Sequence, residues 1–206
     1  MTITIYGDQR SGNCHKVAVV CAKLDLPFSW VDVDILSGGT RTADFLARNP
    51  AGQVPVIELP GGETLAQSNA IMVYLADGSA LIPSAPLPRA QMLQWLFWEQ
   101  YSHEPYVATP RFQALYLGQT PEAWRMERGH AALAVLEEAL AARPFLVGTA
   151  MSLADIALAA YTRLAGDAGF DLSLWPAVGR WLARTEAAGG TIDGPVLGDK
   201  DKADGR

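Results

Sequence analysis

Cysteine is scarce in this chain, with only Cys14 and Cys21 among 206 residues. Their positions in what reads as one helix put them about 10 Å apart at 1.5 Å per residue, beyond the roughly 7 Å a disulfide can span. His15, His103 and His130 are dispersed, so no group has the ligand number and spacing of a structural zinc site, and no metal is expected. An excess of positive charge is also missing. Lys and Arg number 16 against 22 Asp and Glu, split as 5 against 8 before residue 80 and 11 against 14 after it. Neither half carries the footprint of a nucleic-acid binder. The longest apolar runs, residues 17–22 and 156–161, fall far short of the roughly 18 that would argue a membrane span. The opening residues lack a basic stretch followed by a long apolar one, so no export signal is read and a reducing cytoplasm is the expected location. What is present is 50% hydrophobic and 18% charged residues, enough to bury a core and to exclude disorder as the main state.

Residues 2–6 alternate β-branched and aromatic side chains, residues 7–13 have loop chemistry, and Val17, Val20, Cys21 and Leu24 recur at helical spacing over 14–24. With a second strand over 28–35, this makes a βαβ unit whose strands should be parallel. A loop over 37–42 leads to a short helix at 43–48. A strand over 54–59, a Pro60-Gly61-Gly62 turn and a return over 63–65 form a hairpin, and Ser68 opens a helix to about residue 76. The order βαβαββα resembles a thioredoxin-like domain, placed at 1–78. Pro83, Pro86 and Pro88 read as a stiff linker over 79–88. An all-α domain comes next over 89–190, with helices at 89–116, 121–142, 152–168 and 174–188. Within it, Ser152 and Asp155 form a capping box, with Met151 and Ile156 as its apolar staple. Residues 191–206, small and charged, read as a loosely ordered tail.

The segment Arg10-Ser11-Gly12-Asn13-Cys14 stands where a strand hands over to a helix, a place that offers unpaired amides and partial positive charge to an anion. Ser11 can cap the helix, or donate a hydrogen bond to a thiolate brought by another molecule. Cys14 either packs beneath the loop or, with a lowered pKa, reacts in its own right. His15 reads as a surface residue, with approach to a ligand carboxylate as the alternative. A second constellation is residues 49–56, containing Gln53-Val54-Pro55, followed by Gln67-Ser68-Asn69-Ala70-Ile71. A cis Val54-Pro55 bond would present the Val54 amide and carbonyl to a bound peptide, while Ser68 supplies either a cap or a carboxylate site.

Ser-Gly-Asn-Cys after the first strand, Gln-Val-Pro before the third, and Gln-Ser-Asn-Ala-Ile opening the third helix together resemble the glutathione transferase family. Ser152-Leu153-Ala154-Asp155 is similar to the folding motif of that family's second domain, so the likeness spans most of the chain. The resemblance implies the cytosolic glutathione transferase architecture, glutathione as co-substrate, an electrophile site between the domains, and a homodimer. It puts Ser11 and Asn13 at the glutathione thiol, Val54 at the cysteinyl backbone with Gln53 and Pro55 beside it in the glutathione site, and Gln67 with Ser68 at the γ-glutamyl group. Asn13 matches the asparagine near the sulfur in bacterial disulfide-reducing members. Gln67 departs from the Glu or Asp most members carry, which removes an ion pair to the glutathione ammonium unless another acid supplies one.

Trp95, Trp98 and Tyr101 or Ser102 fall on one helical stripe and read as core, or as an apolar substrate wall with dimer contact. Ser102, Tyr106 and Phe112 are the residues expected at the electrophile site. The resulting expectation is an enzyme that makes the glutathione thiol acidic for attack on an apolar electrophile. The alternatives are a glutathione-dependent disulfide reductase, a binding protein without turnover, and a thiol oxidoreductase using Cys14, which lacks the partner cysteine at position 11.

Overall fold

The computed structural model describes residues 2–192, and the chain separates into two compact units. Residues up to Asp77, with Ile192, form the first, and Gly78–Thr191 form the second. In the first unit β1 (Ile3–Gly7) lies parallel to β2 (Phe28–Asp32) and antiparallel to β3 (Val56–Glu58), which forms a hairpin with β4 (Thr64–Ala66). The sheet order is β2-β1-β3-β4, and α1 (Gly12–Lys23), α2 (Ala43–Arg48) and α3 (Ser68–Leu75) complete the βαβαββα order of a thioredoxin-like domain. β2 stops at Asp32, short of the expected residue 35. Asp34 turns the chain there, its Oδ1 accepting the Leu36 amide at 3.0 Å. β3 starts only after Pro55, whose missing N–H cannot join a ladder.

Ile3 and Ile5 point inward from β1 and pack with Val17, Cys21, Ile57 and Ile71, each buried side chain of this size contributing about 1.5–3 kcal/mol over exposure. Residues 14–21 of α1 are buried all round, so α1 is a central helix rather than a one-sided amphipathic one. That overturns the surface reading of His15, which is buried and whose Nε2 accepts the Ile192 amide at 3.4 Å.

The second unit is helical: α4 (Pro86–Trp98), α5 (Glu104–Tyr116), α6 (Ala123–Leu140), α7 (Leu153–Thr162) and α8 (Pro176–Ala187). The prolines that mark a linker also begin α4, since Pro86 sits in the first turn, where a missing N–H breaks no helical bond. The helix expected over 89–116 is two helices joined by a π-helical turn, Glu99–His103. Pro105, with no N–H for the Tyr101 carbonyl, supplies the reason for the widened turn. The buried stripe there is Met92, Leu96, Glu99 and His103, whereas Phe97 and Tyr101 are 72% and 82% exposed. Trp95 and Trp98 are half-buried and meet edge to face at 5.2 Å, so the aromatic stripe is not the core. Sequence periodicity defines stripes but does not say which of two adjacent stripes turns inward.

All ten residues of α7 are buried. The Asp155 Oδ2 accepts the Ser152 amide at 2.9 Å and the Ser152 hydroxyl at 3.0 Å, and Oδ1 accepts Leu146 N and Trp181 Nε1, each at 2.9 Å. Gly129 lets α5 and α6 approach closely, because a Cβ there would fall 2.5 Å from the Tyr106 carbonyl oxygen. No helix among the described residues is long and apolar enough to cross a membrane. Of the tail expected over 191–206, residues 193–206 lie outside the described part.

Candidate functional site

Asp8, at the end of β1, organises the loop that delivers Ser11. Its carbonyl accepts the Ser11 amide at 3.0 Å, and its own amide donates to Cys14 Sγ at 3.4 Å. Its carboxylate accepts the Arg10 amide at 2.9 Å, the Arg10 guanidinium at 2.8 and 2.6 Å, and the Ile35 amide at 3.1 Å. Burial pushes this carboxyl up, but those bonds and the Arg10 charge outweigh it and hold it below the usual carboxylate range. Arg10 also reaches Asp34 Oδ1 at 2.5 Å, so one guanidinium ties the β1 loop to the segment after β2. A cavity of about 340 Å³ lies beside this network, lined by Asp8, Gln9, Arg10, Asp32, Val33 and Asp34.

Ser11 is the N-cap of α1, its Oγ accepting the Cys14 amide at 3.4 Å. Capping occupies a lone pair and leaves the hydroxyl proton for another acceptor, so the two roles weighed for Ser11 are compatible. No acidic residue stands in the first turn of α1. The partial charge of the helix start is therefore not neutralised by the helix's own residues. Cys14 is buried, and burial pushes its thiol up to about 12, which fits packing under the loop and not a reactive thiolate. Cys21 is likewise buried and pushed up to about 12.

Asn13 joins the first and third segments of the expected site: its Oδ1 accepts Ser68 Oγ at 3.2 Å across 55 residues of sequence. The same oxygen accepts Lys16 Nζ at 2.8 Å, and Lys16 is fully buried. Sequence reasoning missed Lys16. Its sole signal is a cation at the first inward turn of an otherwise apolar helix.

The middle segment is held by Asn49, also missed. Its Oδ1 accepts the Ala51 amide at 3.1 Å and its Nδ2 donates to the Gln53 carbonyl at 2.8 Å, an Asx turn that leads the chain into Val54. The Val54-Pro55 bond is cis. Gly52 has φ +61°, and a Cβ there would fall 2.3 Å from Arg41 Nη1, so the close guanidinium and the backbone both call for glycine. Gln67 has φ +71° without being glycine, a conformation costing about 1–3 kcal/mol that persists only where surroundings impose it. Such strain at the residue before Ser68, which is buried, marks the α3 start as a constrained place.

The three residues expected at an electrophile site all lie in the second unit. Ser102 is in the π-helical turn. Tyr106 meets Trp124 edge to face at 6.1 Å, and its hydroxyl accepts Arg128 Nη1 at 3.0 Å. Phe112 packs with Tyr116 at 5.4 Å. Six positions on an α-helix amount to about 240°, so Tyr106 and Phe112 do not share one helical face.

Comparison with known proteins adds an independent line. Residues 10–77 match the family model for the N-terminal domain of glutathione S-transferase, and residues 100–188 match that for its C-terminal domain. The chain is 35% identical to glutathione S-transferase 3 of Zea mays over 165 residues, covering 74% of this chain and 73% of that one. It is 29% identical to the disulfide-bond oxidoreductase YfcG of Escherichia coli over 210 residues, 91% of this chain and 94% of that one. A crystal structure of a glutathione S-transferase from Pseudomonas fluorescens superposes with a TM-score of 0.90 at 48% identity, covering 95% and 98% of the two chains.

Proposed function

The chain belongs to the glutathione S-transferase family, and from that premise we propose that it is a transferase that ionises the glutathione thiol for attack on an apolar electrophile. Ser11 and Asn13 act at the sulfur. Gln53, Val54 and Pro55 hold the cysteinyl backbone, and Gln67 with Ser68 hold the γ-glutamyl group. The observation that carries this reading is the Ser68–Asn13 hydrogen bond, which joins the start of α3 to the start of α1. Two segments that sequence reasoning assigned to the thiol and to the γ-glutamyl group of one tripeptide are thereby tied together.

A free thiol of pKa about 8.5 is a few per cent ionised at neutral pH, and lowering it by about two units, roughly 2.7 kcal/mol, makes it mostly thiolate. The Ser11 hydroxyl, the Asn13 amide and the start of α1, which has no acid in its first turn, supply donors and partial positive charge of that order. The sulfur lone pair then forms a bond to the electrophilic carbon, the leaving group departs with its electron pair, and the thiol proton passes to solvent. Ser102, Tyr106 and Phe112 of the helical domain are the side chains assigned to the apolar electrophile. Phe97 and Tyr101, exposed and one turn apart, support a homodimer as part of the same reading, and the molar mass in solution tests it.

Calorimetric titration with glutathione, beside conjugation of a chlorinated nitrobenzene by wild type and Ser11→Ala, tests the proposal. Binding with conjugation that falls in the variant supports it, and unchanged thiolate formation in the variant removes Ser11 from the role. Asn13, anchored by two donors, favours a second reading in which the same thiolate attacks a disulfide sulfur and expels a thiolate. Reduction of hydroxyethyl disulfide faster than conjugation would establish it. Binding without either activity would leave a passive glutathione carrier.

A further inference from the structure

Lys16 is a buried cation three residues from Asn13, at the expected sulfur position, and its whole side chain is covered. A buried ammonium needs hydrogen-bond acceptors in place of the water it loses. One of its acceptors is Asn13 Oδ1, at 2.8 Å and one turn back along α1. The same oxygen takes the Ser68 hydroxyl at 3.2 Å.

The two ends of an asparagine amide are nearly the same shape, and only their partners decide which way the group faces. An ammonium has donors and no acceptor, so the end of Asn13 that meets Lys16 must be the oxygen. The NH2 end is thereby turned away from Lys16 and Ser68. We infer that Lys16 is a positioning residue, which together with Ser68 fixes the Asn13 side chain so that its NH2 donates to the sulfur of a bound thiolate. The inference rests on the reading that glutathione places its sulfur at the start of α1. The ammonium adds a further effect, since charge drawn to the amide oxygen polarises the group and strengthens its N–H donors. A glutamine or methionine at position 16 supplies neither the charge nor the obligatory donor. An arginine supplies both.

The test tracks the ultraviolet absorbance of the glutathione thiolate against pH when bound to wild type, Lys16→Met, Lys16→Arg and Ser11→Ala, with thermal midpoints recorded for each. Lys16→Met is expected to bind glutathione yet ionise its thiol about one unit higher, roughly threefold less thiolate at neutral pH, and Lys16→Arg to restore most of the loss. A Lys16→Met protein that binds glutathione with the wild-type titration overturns the inference, and a shift in Ser11→Ala beside it leaves the parent reading standing. Should Lys16→Met fail to fold, Asn13→Asp decides. It keeps an acceptor toward Lys16 and Ser68 but puts a negatively charged carboxylate oxygen where the NH2 donor stood, so it should raise the thiol pKa more than Asn13→Ala does, and equal effects overturn the inference. Wild type that does not bind glutathione at all overturns the parent reading, and this one with it.

Discussion

Two helices of this protein are N-capped by a serine and differ at the third residue after it. α7 starts after Ser152 and carries Asp155 there, where the carboxylate takes four donors within the fold. α1 starts after Ser11 and carries Cys14 at the corresponding position, with no acid in its first turn. One helix start is closed by its own side chain. The other is left with amides, a hydroxyl and an asparagine, and it is the one proposed to take an anion from outside. The same physics of unpaired amides and partial positive charge serves folding where an internal carboxylate satisfies it and ligand binding where none does.

The contrast extends to the two aspartates buried among the described residues. Asp8 is held below the usual carboxylate range because burial is outweighed by the Arg10 and Ile35 bonds and the Arg10 charge. Asp155 has only neutral donors, and its burial pushes it above that range despite them.

The largest expected effect lies at the closed start. Asp155→Ala leaves the Leu146 amide, the Ser152 amide and the Trp181 indole N–H buried without their acceptor, and should cost at least about 3 kcal/mol of stability in denaturant unfolding. Ser11→Ala at the open start should cost only about 1 kcal/mol of stability. Its main effect should be on function, a loss of about 10- to 100-fold in conjugation at neutral pH, matching a charge-assisted bond of about 1.5–3 kcal/mol. If the two substitutions affect stability alike, the distinction between closed and open starts fails.

A smaller effect separates the two aspartates by pH. Asp8, lowered in the fold, stabilises above its ordinary value of 3.8, and that contribution is lost as pH falls through the lowered folded value. Asp155, raised in the fold, behaves oppositely: its contribution is full below 3.8 and declines as pH rises through the raised folded value. Denaturant midpoints measured between about pH 6 and pH 3 should therefore show a shallower acid loss in Asp8→Asn and a steeper one in Asp155→Asn. The smallest effect is expected at Cys14. With its thiol pushed up to about 12 by burial, Cys14→Ser should leave thiolate formation on glutathione within about twofold of wild type.

The order of elements in the first unit was legible because each is bounded by residues with strong backbone preferences, such as Pro27, Pro55 and Pro60-Gly61-Gly62. The far end of β2 was not, because Asp34 acts through a side-chain turn that looks like any other polar residue in sequence. The candidate site was legible as three short segments, and its joints were not. Asp8 meets Ile35 across 27 residues and Asn13 meets Ser68 across 55, separations no spacing rule spans, while Lys16 and Asn49 act on near neighbours through bonds that residue type alone does not announce. The strain at Gln67 lies in backbone angles, which residue type does not report. In the helical unit, the π-helical turn before Pro105 shifts the register between α4 and α5, and with it the stripe that faces inward.

The most direct measurement is a crystal structure of the protein soaked with glutathione. The sulfur should lie within hydrogen-bond distance of Ser11 Oγ and the Asn13 amide, with the peptide backbone beside Val54 and the γ-glutamyl carboxylate at Ser68. A sulfur bound anywhere else, or an empty α1 start at saturating glutathione, would contradict the account.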